Sequence, residues 1–275
     1  MAPQFVEPPW KVSENGPEAY ERYIVPAWMG AWAQDLVEAL GVRPGDRVLD
    51  VACGTGIVAR KAAALAGPGA LVCGFDSDAG MLDSARRHAL EEGLPDLRWR
   101  QGRVEALPFD GAAFDVAACQ HGLQFFPDRP AALREMHRVL APGGRLGVSV
   151  WRSLDRCPFL AIVAGYLERR LGIQPQAFHA SCALSDREEL RRLIREAGFA
   201  EPRIRLESRI SRHPSLAALL PGYLSVFPPA AAFAALTPAQ RADFFRGLAE
   251  ALAPFTDDDG LAAPMECHLA IAVKP

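Results

Sequence analysis

Two hydrophobic periods share this chain. Short apolar, partly β-branched runs recur at Val48–Val51, Ala70–Phe75, Asp115–Cys119 and Arg145–Trp151, and Leu97–Gln101 is a further, more polar strand. Runs of that length predict strands, and those without polar alternation predict strands covered on both faces. Between them the apolar positions fall at helical spacing. Ile57–Ala66 is rich in Ala and stops at Gly67-Pro68-Gly69. Met81–Glu92 follows Asp78, a natural N-cap, and Pro130–Leu140 carries Pro at its first turn. Strand, turn and helix in repetition predict an α/β fold built on a doubly wound sheet.

The flanks read differently. Residues 1–16 hold Pro3, Pro8, Pro9 and Gly16 and predict an irregular arm. Glu18–Val25 predicts a helix that Pro26 interrupts. Ala27–Leu40 predicts an amphipathic helix, with Trp28, Trp32, Leu36 and Leu40 on one stripe. After Trp151, Pro158–Leu171 predicts a helix whose last turn carries Arg169 and Arg170. Ser185-x-x-Glu188 is a capping-box pattern opening a helix through Ala197-Gly198. Arg203–Ile210 alternates, with Ile204, Leu206, Ser208 and Ile210 on one face. An apolar helix is expected near Leu216–Phe227 and another from Thr237-Pro238-Ala239-Gln240. Met265–Val273 is expected as an antiparallel strand at the sheet's end. Asp257-Asp258-Asp259-Gly260 lacks the spaced ligands and closing Glu of a calcium loop and reads as a solvated turn. The resulting division is an arm with a helical lid (1–40), a core (41–152), and remaining strands with helical insertions (153–275), together one compact domain.

Composition narrows the partners. The 275 residues are half apolar and carry a net charge of −3, which argues against nucleic acid or an anionic membrane surface. Neither a spanning apolar run nor a cationic leader is visible, so a cytoplasmic protein is expected. Six scattered cysteines without Cys-x-x-Cys pairs predict buried thiols and no metal site.

The candidate chemistry lies in Arg47-Val48-Leu49-Asp50-Val51-Ala52-Cys53-Gly54-Thr55-Gly56. Gly54 and Gly56 let the backbone turn sharply and let a ligand approach it. Gly54-x-Gly56-x-x-Ala59 followed by Asp76 also fits a dinucleotide pattern. Asp50 decides between ligands: a carboxylate there repels a diphosphate and attracts an ammonium and a sulfonium. S-adenosylmethionine carries both.

Val48–Gly56 resembles motif I of the class I methyltransferases, in the variant of the ubiquinone/menaquinone-biosynthesis type, with Ala52 in the first glycine position. Gly74–Leu82 resembles the ribose-binding strand end of that family. Gly102–Phe109 resembles its adenine loop, and Phe114–Leu123 its strand-four motif. The match covers roughly residues 20 to 152. The resemblance implies a Rossmann-like, mostly parallel seven-stranded sheet with helical insertions over the acceptor. It implies binding of S-adenosylmethionine, with S-adenosylhomocysteine as product, by Tyr23, Asp50, Ala52, Cys53, Gly54, Thr55, Gly56, Asp76, Ser77, Met81, Val104, Glu105, Cys119 and Gln120. Arg103 departs from the family's usual Asp, which leaves the adenine edge to Glu105, to the backbone of Val104, or to stacking by Arg103 itself.

Residues just past the end of strand four face the ligand crevice of an open α/β sheet. His121 is therefore a candidate general base, and His121 and Trp151 are candidates for the substrate pocket. The expected activity is methyl transfer to a small, fairly apolar molecule at O, C or N. A non-methylating S-adenosylmethionine-binding protein and an NAD(P)-dependent oxidoreductase are the alternatives, and a homodimer is left open.

Overall fold

The computed structural model describes residues 16–172, 176–216, 219, 223 and 235–275. They fall into two compact units where the sequence suggested one domain. One gathers the described residues up to Trp28, Ser153–Ala180 and Ser208–Glu266; the other gathers Met29–Arg152, Ser181–Glu207 and Cys267–Pro275. Divisions fall after Trp28 and after Arg152, and helix α2 (Gly30–Leu40) packs its apolar stripe on the sheet.

The sheet unit is built on β1 (Val48–Val51), β2 (Val72–Asp76), β3 (Arg98–Gln101), β4 (Phe114–Gln120) and β5 (Leu140–Trp151). With β6 (Arg203–His213) and β8 (Gly260–Val273) the order is β3-β2-β1-β4-β5-β8-β6; the two-residue β7 (Thr256–Asp257) pairs with β8 off this path. Pairs from β3 through β5 are parallel, and β5–β8 is antiparallel. The order reverses between β1 and β4, which opens a ligand crevice at their carboxyl ends.

Alternate residues of each strand supply two cores. On one face, Val48, Val116 and Ala118 meet Leu36 and Leu40 of α2 and Val58, Ala59 and Ala62 of α3 (Ile57–Ala66). On the other, Leu49, Ala117, Val148 and Val150 meet Leu133 and Met136 of α5 (Arg129–Val139) and Leu190 and Ile194 of α8 (Arg187–Glu196). Each fully buried side chain of this kind stabilises by about 1.5–3 kcal/mol before ordering costs. Helix α4 (Ala79–Glu91) starts at Asp78, whose side chain accepts the Met81 N–H.

Three expectations are corrected here. The last strand is antiparallel but lies one place in from the edge, between β5 and β6. Its Cys267–Ala270 segment is buried throughout, as an interior strand requires, whereas β6 is mostly exposed along its length. The Ala141-Pro142-Gly143-Gly144 break is absorbed inside β5 as a register shift, with Gly143 at φ 75°. Helix α8 is capped by Asp186, whose Oδ1 accepts the Glu188 N–H, and not by Ser185.

The other unit holds α1 (Gly16–Ala19), a π-helical stretch (Tyr20–Met29), α6 (Pro158–Leu171), α7 (Gln176–Ser181) and α9 (Pro238–Leu252). Pro26 does not stop the helix. It lacks the N–H of an α-helical bond, and the wider π turn carries the chain past it. Trp28, Phe159 and Tyr223 form an aromatic cluster with centroids 5.2–5.6 Å apart. Thr237 and Gln240 close a full capping box on α9. In the Asp257–Gly260 turn, Asp257 pairs with Arg212 at 2.9 Å. The arm before Gly16 and most of the helix expected near Leu216–Phe227 lie outside the described residues.

Candidate active site

β1 leaves the sheet through a turn over Ala52–Gly56 that enters α3. Ala52, Gly54 and Gly56 are left-handed, at φ 56°, 54° and 83°. For Ala52 that conformation costs about 1–2 kcal/mol. The methyl is accommodated across the crevice by Gly122, where a Cβ would stand 2.7 Å from that of Ala52. Gly54 fronts open space, with nothing within 4 Å of where a Cβ would project. Gly56 and Gly74 are fixed for another reason. The Trp99 ring of β3 lies beneath them, and a Cβ would meet it at 2.4 and 2.3 Å.

Asp50 is 1% exposed. Its Oδ2 accepts the Ala59 N–H at 2.9 Å, in the first turn of α3. That bond favours the charged form, yet burial wins and holds the carboxyl up to about 8. No cation among the described residues pairs with it. Asp76 ends β2; its Oδ2 accepts the Gly54 N–H at 2.8 Å and its Oδ1 the Asp78 N–H at 2.9 Å. Burial raises its carboxyl as well. Asp50 near the end of β1 and Asp76 at the end of β2 bond to the start of α3 and to this turn, and each ionises more readily when a cation sits beside it. A ligand cation would favour that ionisation, and a diphosphate would oppose it.

Strand β4 ends at Gln120, which stands opposite Ser149 of β5 in register. Gln120 donates through Nε2 to the Met29 carbonyl at 3.0 Å, while its Oε1 and the Ser149 Oγ are buried without a protein partner. His121 follows in a left-handed conformation at φ 50°, a strain of the kind that gathers at functional sites. Its N–H donates to the Ser149 carbonyl, and its own carbonyl accepts from Gln124 Nε2. The imidazole stacks on Trp151 at 3.7 Å and 7°, with Trp32 edge-on to both rings. Both ring nitrogens are buried without a partner, and burial pushes the ring down to about 3. His121 is thus a neutral hydrogen-bonding ring. To hold a proton it needs an anionic centre beside it.

The remaining expected residues are placed as follows. Thr55 is 1% exposed with its Oγ1 unpartnered. Cys53 is buried on the turn, and burial raises its thiol well above the ordinary range. Ser77 is exposed, with its carbonyl accepting from Gln101, and Met81 lies in the first turn of α4. Val104 is buried on a short helix after β3. Beside it the Glu105 Oε1 is buried and unpartnered, and its Oε2 lies 3.5 Å from the exposed Arg103. Cys119 packs in the core with its thiol pushed up to about 12, so only its backbone faces the crevice. Tyr23 belongs to the other unit, half-buried, with the Arg22 guanidinium 5.9 Å from its ring. Trp32, Trp99, Gln124 and Ser149 escaped the sequence reading. Trp32 was visible only as one position of an amphipathic stripe, and nothing in that stripe says which ring it meets.

These donors and acceptors fit S-adenosylmethionine. Asp50 would take its ammonium and Asp76 its ribose hydroxyls. Glu105 Oε1 and the Val104 backbone would meet the adenine edge. Gln120 and Thr55 would take polar atoms of the amino-acid tail. Among the described residues no cluster of His, Cys, Asp or Glu could hold a metal ion, and no helix is long and apolar enough to cross a membrane.

The fold and this turn define a class I methyltransferase. A methyltransferase domain model matches residues 48–144. The chain is 42% identical over 116 residues to the ubiquinone/menaquinone biosynthesis C-methyltransferase UbiE of Hahella chejuensis, covering 42% of this chain and 47% of that protein. It is 30% identical over 161 residues to the 2-phytyl-1,4-naphtoquinone methyltransferase of Nostoc sp., covering 56% of this chain and 70% of that protein. The phosphoethanolamine-type N-methyltransferase 2 of Haemonchus contortus, solved with phosphomonomethylethanolamine and S-adenosylhomocysteine, superposes with a TM-score of 0.59 at 19% identity, over 94% of this chain and 57% of that one. The chain belongs to the class I S-adenosylmethionine-dependent methyltransferases, in the group of the ubiquinone and menaquinone biosynthesis enzymes. It spans only about half the length of the Hahella relative.

Proposed function

We propose that this protein transfers the methyl group of S-adenosylmethionine to a small, flat, fairly apolar acceptor of the quinol or phenol kind. The observation that carries the reading is Asp50, a carboxyl buried to 1% exposure with no cation beside it among the described residues. When bound, the cofactor supplies an already activated methyl group on a sulfonium. The protein's task is then placement and exclusion of water. Asp50 holds the ammonium and Asp76 the ribose. Gln120 fixes the end of β4, anchored to the Met29 carbonyl. Trp151 and Trp32 give a dry aromatic wall against which a flat ring packs. His121 offers a ring nitrogen to an acceptor hydroxyl and orients it. The neutral ring accepts that hydrogen bond without keeping the proton, which leaves to water as the acceptor's oxygen or ring carbon forms its new bond to the methyl carbon. The relatives' names, which speak of ubiquinone, menaquinone and naphtoquinone, support an acceptor ring of this sort.

Calorimetry of the purified chain with S-adenosylmethionine, S-adenosylhomocysteine and NAD tests the first half. Binding of the first two and not the third is expected; binding of NAD alone overturns the reading. Mass-spectrometric detection of methylated product from a panel of demethylated quinols, catechols and aliphatic amines tests the second. Turnover confined to the amines would discard the aromatic acceptor.

A further inference from the structure

The sheet carries a second buried histidine on its other face. Val150 and Trp151 are successive residues of β5 and project to opposite sides. Trp151 stacks on His121, whereas Val150 enters the core beneath α8. His268 of β8 stands opposite Val150 in the antiparallel pair and so shares the α8 side. It is 7% exposed and lines an open groove of about 400 Å³. Its Nε2 lies 3.1 Å from the Ser185 carbonyl, which can only accept, so Nε2 carries the hydrogen. The other ring nitrogen, Nδ1, is buried with no partner among the described residues.

Charged groups surround the ring. Arg152, just past β5, and Arg187, in the first turn of α8 and paired with Glu188 at 3.0 Å, line the groove with it. Asp186 is there too, with its Oδ1 already engaged as the cap of α8. Burial and the two guanidinia lower the proton affinity of the ring, against the opposing hydrogen bond to the Ser185 carbonyl and the pull of Asp186. Ile204 and Leu206 of β6 form the apolar wall, and Leu206 is 56% exposed. A buried unpartnered imidazole nitrogen, two guanidinia and an apolar wall converge from β8, the end of β5, α8 and β6.

We propose that this groove binds a small carboxylate carried on an apolar body. His268 Nδ1 and the guanidinia of Arg152 and Arg187 take the carboxylate, and Ile204 and Leu206 take the body. A carboxylate beside Nδ1 favours the protonated ring, so Nδ1 takes one proton from solvent and donates it to a carboxylate oxygen. Binding therefore tightens as pH falls toward the ring's lowered titration range. The site is independent of methyl transfer and needs no cofactor.

Benzoate titrated into the full chain, with the histidine ring nitrogens followed by NMR, tests it. The His268 signals shift on addition, and benzoate binds more tightly than acetate or inorganic phosphate. Affinity rises by up to about tenfold per unit fall in pH near neutrality. Arg187→Gln, at an exposed position, weakens benzoate about tenfold, and His268→Gln removes the pH dependence. Circular dichroism checks that both variants stay folded. An unmoved His268 signal, equal affinity in Arg187→Gln, or pH-independent binding overturns the proposal. Tighter binding of phosphate than of benzoate overturns the ligand class.

Discussion

His121 and His268 lie on opposite faces of one sheet, and both are buried with unpartnered ring nitrogens. Their surroundings differ. His121 is enclosed by Trp151 and Trp32, and burial alone sets its proton affinity. His268 has two arginines and an aspartate beside it. Further along the sheet on the His121 side, the crevice is acidic, through Asp50 and Asp76. The contrast teaches that one sheet edge can present two ligand chemistries. Strand alternation sorts the side chains, and neighbouring charges set what each histidine can do.

The largest expected effect breaks the acidic side. Asp50→Asn keeps an oxygen for the Ala59 N–H but removes the charge. It should weaken S-adenosylmethionine by about 3 kcal/mol, roughly a hundredfold, by calorimetry. Benzoate affinity in the His268 groove should stay put, and loss of both would mean that the two sites are not separate.

Next comes His121. His121→Ala should lower turnover about tenfold to a hundredfold with little change in cofactor affinity. His121→Gln should recover part of the loss if the ring orients the acceptor through a hydrogen bond. No break in the wild-type rate profile is expected near the usual histidine range, since burial holds the ring near 3. A break there that vanishes in the variant would return His121 to the role of a strong base.

Gly74→Ala probes the support under the turn. Its Cβ would meet Trp99 at 2.3 Å and the Cys53 sulfur at 3.0 Å, so a loss of about 1–3 kcal/mol in urea unfolding is expected.

A subtler test follows the Asp50 proton. The folded, ligand-free chain keeps this proton up to about 8, while an unfolded chain releases it near 3.8. Across that window the folded state binds more protons, so this group makes stability fall as pH rises and level off above about 8. A ligand ammonium favours the ionised form, so S-adenosylmethionine should bind with proton release and more tightly as pH approaches 8. Calorimetry in two buffers of different ionisation heat measures that proton, and Asp50→Asn should abolish the release.

Much of the acidic side was legible in the amino acids. A buried apolar run, a carboxylate at its end and two glycines define a strand–turn–helix whatever surrounds it, and α3 spans the predicted Ile57–Ala66. Asp78 capped as expected because an N-cap is a local bond. The cationic side was not legible. His268 lies 83 residues from its partner Ser185, and it faces the groove only because β8 inserts between β5 and β6. Strand order inside a sheet is a long-range choice that periodicity along one segment does not encode. Trp99 was hidden for the same reason: β3 reads as a short polar strand, and its one large ring finds Gly56 and Gly74 through pairing with β2.

Ala52 and Gly122 carry a last consequence. A methyl group occupies a left-handed position of the turn, and the space for it is ceded by a residue of a different loop. The two positions are therefore not free to vary one at a time. Gly122→Ala alone forces two methyl groups together, while Ala52→Gly alone releases the left-handed strain, a gain of up to about 1 kcal/mol after the added backbone entropy. Substitution at 122 becomes tolerable only after 52 has changed, which gives this pair a preferred order of mutation.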